Sequence, residues 1–279
     1  MRLHAVYRTH GGENAKGRPE WYSKEVALQS FLRAVERARG EGLDVELVVL
    51  GDGPLDPATT ALARAWGDLV TISAGDNRRS YLHAVSLPRR REWPAGDLVL
   101  LAEDDYLWRP DALVELVAAA RSHPDADYLA PYGPAPDEPG APQRWERIES
   151  TTSTFAARAG ALRQDERLLA LCAWSGGDFD VTTCMTLAGR PRFSVRDLVV
   201  HHPTDDPVPA HVAAARHGYL AALRLAVDAR AALRRPARRR ALLGARPVLA
   251  THGEEGWVAP GDWAQLAEST RRWAAGALA

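Results

Sequence analysis

The sequence predicts an α/β protein with a mostly parallel central sheet flanked by helices on both faces. Two observations carry that expectation. Through the first half of the chain, short apolar runs alternate with longer segments of helical period, the rhythm of successive strand–helix–strand units. Four of those runs also end in glycines or charged residues: Arg8, then Gly51-Asp52-Gly53, then Gly75-Asp76-Asn77-Arg78-Arg79, then Glu103-Asp104-Asp105. In open parallel sheets ligands gather at the carboxyl ends of the strands, and a chain that needed only a core has no use for polar groups at all four.

Taken in order, Leu3 to Tyr7 reads as the first strand. Tyr22 to Arg39 is helical, because Leu28, Phe31, Leu32 and Val35 fall on one face. Val45 to Leu50, rich in β-branched residues, is a second strand. Asp56-Pro57 opens a helix, with Asp as cap and Pro at the first helical position, where its missing N–H is not needed. Leu69 to Ser73 is a third strand, and Ser80 to Leu87 a short helix that Pro88 is expected to stop. Leu98 to Ala102 is a fourth strand, and Pro110-Asp111 starts the helix DALVELVAAAR, with acid capping as the reading of Asp111. Pro131 to Gln143 is rich in Pro and Gly and reads as a long surface loop.

Thr151 to Ala157 is a further strand candidate and Ala159 to Ala173 a helix. A Gly-Asp loop, a helix from Phe179 to Leu187, a turn at Gly189 and a strand ending at His201-His202 follow. From Val212 the pattern is mostly helical and rich in Ala and Arg. The expected organisation is one domain over residues 1–210 and a helical C-terminal extension over 211–279 packed on it.

Charge and cysteine usage narrow the function. Lys plus Arg total 35 and Asp plus Glu total 36, so no charge excess points to nucleic acid as a partner. The two cysteines, Cys172 and Cys184, fit neither a disulfide framework nor a CxxC metal site, and a cytoplasmic setting is the natural reading. The first residues hold no apolar stretch of signal-peptide length, and no run approaches the roughly 18 apolar residues of a membrane span. At most, peripheral membrane contact is expected. The Arg-rich stretch from Arg230 to Arg246 reads first as a solvated helix face and turn, and second as a surface for anionic lipid or an acceptor phosphate.

The chemistry concentrates in LVLLAEDDYLWRPDAL, Leu98 to Leu113, where an apolar run meets three consecutive carboxylates. Two carboxylates at 4 Å repel by roughly 4 kcal/mol at an effective dielectric near 20. Water, a proton or a cation must relieve this. If the segment stays extended, Glu103 and Asp105 share a face, and two hard oxygen donors on one side suit Mg²⁺ or Mn²⁺ bridging to a diphosphate. Arg78 or Arg79, together with Arg8, can neutralise charge on a leaving diphosphate. Asp52 is either a nucleotide contact or part of a Gly-Asp-Gly turn.

LVLLAEDDYLWRPDAL resembles the DxD-type segment of GT-A glycosyltransferases, with Glu103-Asp104-Asp105 in the D-x-D place and Glu for the first Asp. GGDFDVTTCMTLAGRPRFSVRDLVVHH resembles the family-2 segment G-E-D-x-D-L, helix, A-G, strand, His. The likeness covers roughly Leu3 to His202. It implies a GT-A (Rossmann-like) fold and a metal-dependent glycosyltransferase, moving a sugar from a UDP-, GDP- or dTDP-sugar to an acceptor hydroxyl with inversion. It assigns the general base to Asp178 and the second acid of that motif to Asp180. The Mn²⁺ or Mg²⁺ ligands become Glu103, Asp105 and His201, with His202 as a rival. The nucleotide and diphosphate contacts become Arg8, Asp52, Asn77, Arg78, Arg79 and Asp104. Gly177 stands where the family carries Glu, which keeps open an inactive GT-A-like binding protein. A sugar-phosphate nucleotidyltransferase, which uses similar acids against a triphosphate, also stays open.

Lesser candidates complete the reading. His10-Gly11-Gly12 either touches the nucleotide or is a flexible turn. Trp174 either stacks on a sugar or belongs to the core. Thr251 to Trp263, THGEEGWVAPGDW, is rich in His, acids and Trp; it folds back as a lid or serves as a packing latch, the latch being favoured.

Overall fold

Strands β1 (Leu3–His10), β2 (Val45–Asp52), β3 (Asp68–Ile72) and β4 (Leu98–Glu103) run parallel in the order β3-β2-β1-β4. In this computed structural model, which describes residues 1–12, 16–133, 141–176, 179–194, 196 and 210–277, the sheet continues beyond β4. β8 (Phe155–Arg158) pairs with β4 antiparallel, β6 (Tyr128–Ala130) pairs with β8 antiparallel, β9 (Leu242–Arg246) pairs with β6 parallel, and β7 (Arg144–Arg147) closes the far edge. The eight-stranded sheet is mostly parallel, as expected. β5 (Tyr106–Trp108) and β10 (Ala250–His252) form a separate antiparallel pair.

Strand pleat explains why both faces are apolar. Side chains alternate across a strand, so Leu3, Ala5 and Tyr7 of β1 and Leu98, Leu100 and Ala102 of β4 share one core. That core is covered by α1 (Lys24–Gly40), α4 (Ala112–Ser122) and α8 (Trp263–Ala277). Val6, Val99 and Leu101 face the other core, beneath α3 (Asn77–Arg90), α5 (Ala159–Trp174) and α6 (Phe179–Leu187). Helix α2 (Pro57–Trp66) begins as the sequence indicates, Asp56 accepting from the Thr59 N–H at 2.9 Å.

Three expectations are corrected. Helix α3 starts at Asn77, three residues early, because Asp76 accepts from the Arg79 N–H and turns a presumed loop into a capped first turn. Pro88 does not stop it. The proline sits in the last turn, where it removes only its own donor, and the Arg91 N–H still reaches the Leu87 carbonyl at 2.8 Å. Asp111 precedes α4 without capping it, since Arg109 grips its carboxylate through two nitrogens at 3.1 and 2.7 Å.

A further difference from the expectation matters most for the site. The C-terminal part is more than a helical extension. It begins with α7 (Ala210–Ala232), but β9 then enters the main sheet between β6 and β7, and β10 pairs with β5. A strand of five residues containing a glycine, LLGAR, carries too little alternation to be read locally; its neighbours on both sides stabilise it. A buried ion cluster anchors this segment. Asp165, 2 % exposed, accepts from Arg234 (2.6 Å), Arg240 (2.7 Å) and the Tyr128 hydroxyl (3.1 Å), while Arg240 also reaches Asp127 (3.1 Å).

Gly177, Asp178, His201, His202 and residues 134–140 of the Pro-rich loop lie outside the described residues. Among the described residues, no helix is long and apolar enough to cross a membrane. Both cysteines are buried and free.

Asp165→Ala leaves the Arg234 guanidinium in the interior without its carboxylate and Arg240 with Asp127 alone. It is expected to cost about 3–5 kcal/mol, read as a fall in the urea midpoint at unchanged slope.

Candidate functional site

From β1 the chain moves outward to β2 and β3, then returns to the opposite side of β1 for β4. Connections leave in opposite directions at that point, and a crevice opens beyond the carboxyl ends of β1 and β4. A cleft of about 1310 Å³ lies there, lined by residues from the ends of all four parallel strands and by His252 of the tail. Gly11 lets the loop after β1 pass this end of the sheet: a Cβ there would lie 1.9 Å from the Pro54 carbonyl oxygen. Gly75, at φ +80°, makes the sharp entry into α3.

The three acids at the end of β4 go to three different environments. Glu103 is the last strand residue, paired in register with Arg8 on the α3 face. The Arg8 guanidinium binds the Glu103 carboxylate and, with its other nitrogen, the Asn77 side chain at the first turn of α3. Burial pushes the Glu103 carboxyl up to about 7, Arg8 opposing and the neighbouring Asp105 and Asp104 adding to the rise.

Asp104 points to the opposite side. Its Oδ2 accepts from Thr9 Oγ1 at 2.7 Å and from the His10 N–H at 3.3 Å, and Lys24 Nζ lies 2.9 Å away. Burial alone would raise its pKa, but hydrogen bonds from His10, Lys24 and Thr9 with the Lys24 charge outweigh it, and the carboxyl is held far below the usual range. Asp104, expected on the nucleotide, lines the cleft, and its carboxylate also ties β4 to β1 and α1.

Asp105 is the unusual one. The strand has ended and the segment turns, so the extended pleat expected to align it with Glu103 is absent; both acids nonetheless line the cleft. Asp105 Oδ2 lies 3.4 Å from His252 Nε2, while Oδ1 is buried without a hydrogen-bond partner among the described residues. Burial pushes the His252 imidazole below its ordinary value against the pull of Asp105, which favours the neutral ring.

The other expected residues divide. Arg78 lines the cleft with its guanidinium 4.7 Å above the Trp174 ring and has no carboxylate partner among the described residues. Asp52 lines the cleft while its Oδ1 accepts from the Ala74 N–H at 2.8 Å, so it serves the turn between β2 and β3 as well. Asn77 and Arg8 line the cleft together. Arg79 turns to Asp76 at 3.4 Å, largely exposed, and is not a lining residue. Gly176 and Asp180 line the wall on either side of the undescribed pair 177–178. Trp174 is thus a platform for Arg78.

Lys24 and His252 were not singled out in the sequence. A lysine in the first turn of a helix works against the helix dipole, and that was the available signal for Lys24. His252 sits in the stretch flagged for its composition; the strand pairing of β10 with β5 brings it in. The tail is both latch and wall: the Gly253 N–H donates to the Asp105 carbonyl at 2.6 Å and Arg18 to the Gly253 carbonyl at 2.7 Å.

The donor chemistry suits a hard divalent cation. The Asp105 and Glu103 carboxylates are the hard oxygen donors that Mn²⁺ or Mg²⁺ accepts, with the His252 imidazole beside Asp105. Among the described residues no cluster of three or more His, Cys, Asp or Glu is arranged to hold a metal. Mg²⁺ does not need one, because it keeps several waters and takes one or two carboxylates.

No protein-family model matches the chain, and no curated protein does. Solved structures similar in outline include CMP:2-keto-3-deoxy-manno-octonic acid synthetase complexed with CTP, at 14% identity and TM-score 0.39, covering 60% of this chain and 78% of that one. Residues 1–349 of S. aureus TarS are 15% identical at TM-score 0.41, covering 81% of this chain and 71% of that one. 4-Diphosphocytidyl-2C-methyl-D-erythritol synthase is 16% identical at TM-score 0.38, covering 64% and 81%. Likeness at this level says nothing of what this chain binds.

Lys24→Met leaves Asp104 buried without its cation and is expected to cost about 3 kcal/mol at neutral pH. The folded pKa of Asp104 lies below its unfolded value near 3.9, so its stabilisation is complete above about pH 4 and is lost as pH falls further. The gap between wild type and variant, measured by denaturant unfolding, should therefore close progressively below pH 4.

Proposed function

We propose that the protein is a glycosyltransferase that moves a sugar from a nucleotide-sugar to an acceptor hydroxyl with the help of Mn²⁺ or Mg²⁺. The observation that supports this best is the buried, unpartnered oxygen of Asp105, a residue at the switch point of a parallel sheet that lines a cleft with room for a donor and part of an acceptor. An orphaned carboxylate oxygen in such a place is costly unless a ligand completes it.

In this reading Asp105 and Glu103 hold the cation, with His252 beside Asp105 and His201 assigned by resemblance. The bound ion would neutralise charge growing on the leaving diphosphate. Arg78, pre-set over Trp174, and the N-terminus of α3 face the phosphates. Asp52 meets the nucleoside end. Arg8 keeps Glu103 and Asn77 aligned. Asp178, given the role of base by resemblance, takes the proton from the attacking hydroxyl, and a single displacement with one base inverts the anomeric centre.

Calorimetry with UDP, GDP and dTDP, with and without Mn²⁺, tests the donor side. One nucleotide should bind at least about tenfold tighter with the metal, and Asp105→Asn should erase that gain. Binding that ignores Mn²⁺ in every case would overturn the metal-assisted reading, and pyrophosphate release from a nucleoside triphosphate and a sugar phosphate would instead mark a nucleotidyltransferase.

Asp178→Asn tests the base. Sugar transfer should fall by about 10²–10⁴-fold while nucleotide binding by calorimetry is unchanged; an undiminished rate would remove Asp178 from that role.

A further inference from the structure

Helix α7 presents an apolar stripe to solvent. Tyr219, Ala222, Leu225 and Ala229 are exposed at spacings of three and four, which puts them on one face, and Leu233 continues the line just past the helix end. Tyr219 is 57%, Leu225 54% and Leu233 81% exposed, while Arg224, Val227 and Ala231 are buried on the inner side. The single acid of the helix, Asp228, is occupied by the Arg192 and Phe193 N–H groups at 2.6 and 3.1 Å.

The stripe runs into a basic cup. A cavity of about 500 Å³ lies at the C-terminal end of α7, lined by Arg167, Arg230, Leu233, Arg235 and Arg238 among others. Arg234, also in its wall, is consumed by Asp165 at 2.6 Å. Arg167, Arg230, Arg235 and Arg238 have no carboxylate partner among the described residues, and the neighbouring Glu166 is taken by Arg89 at 2.9 Å. One or two basic residues at a helix C-terminus answer the helix dipole. That accounts for neither four guanidiniums without a carboxylate partner among the described residues around one concavity nor leucines held out in water beside them.

We propose that this face docks the protein on a bilayer of anionic phospholipid. Helix α7 lies along the interface, Leu225 and Leu233 enter the acyl boundary, and the arginine cup receives lipid phosphates. Charge complementarity chooses the occupant: an apolar stripe ending in uncompensated cations matches an anionic membrane surface, where each basic residue adds affinity. A second copy of this chain would bring the same cations against themselves.

The test is co-sedimentation of the full chain with vesicles of phosphatidylcholine alone and of phosphatidylcholine with phosphatidylglycerol. The protein should sediment with the anionic vesicles only, and less as salt rises. Arg230→Gln, Arg235→Gln and Arg238→Gln combined should weaken partitioning by about 100-fold. Leu225→Gln with Leu233→Gln should weaken it about tenfold or more. All these side chains are exposed, so wild-type thermal unfolding is the check that the variants fold. Equal sedimentation with both vesicles, or none with either, overturns the proposal. So does a dimer in sedimentation velocity that Leu225→Gln with Leu233→Gln converts to monomer while wild type ignores the vesicles.

Discussion

The end of β4 poses the problem that the rest of the structure solves. Three adjacent carboxylates emerge from a buried strand, and no single environment tolerates all three. Pleat sends Glu103 to the α3 face and Asp104 to the α1 face, and the turn that follows takes Asp105 away from both. Each destination has its own counterpart: Arg8 in register on β1, Lys24 with the Thr9 hydroxyl and His10 amide, and His252 from the tail. Two of the acids are answered by fixed cations of the protein. Asp105 keeps one oxygen without a hydrogen-bond partner among the described residues.

This division of labour joins distant parts of the chain. The Asp104 clamp fastens β1, β4 and the start of α1, the three pieces whose carboxyl or amino ends form the rim of the cleft. The Asp165 cluster fastens the segment after α7 to α5 and β6. With that anchor in place, β9 can enter the sheet and β10 can deliver His252. The site is therefore built by two polar knots, one under its floor and one holding the wall in position, each buried enough for its hydrogen bonds to be strong.

The parallel half of the fold was legible because its strands are buried on both faces and read as unbroken apolar runs: LVLLA and VELVVL announce themselves without tertiary information. The Asp56 cap is legible for a similar local reason, whereas Asp76, read only as a polar strand end, caps a helix that starts three residues before Ser80. Strand β9 was not, since Leu242–Arg246 owes its conformation to β6 and β7 rather than to its own pattern. In the site, the positions of Arg8, Glu103 and Asp105 followed from strand ends. The partnership of Lys24 with Asp104 did not, because nothing links two residues on different elements except the fold itself. Arg79 looked interchangeable with Arg78, and the first turn of α3 separates them, one toward the cleft and one toward Asp76.

The insertion of β9 has a consequence during synthesis. Strand β7 leaves the ribosome before the strand it pairs with, and β6 emerges with the side that β9 will occupy still open. Both edges stay unpaired while everything between Arg147 and Leu242 is translated, on the order of 5–20 s at ordinary elongation rates. Arginine and glutamate along β7 suit that interval, since charged side chains discourage a bare edge from joining a neighbouring nascent chain.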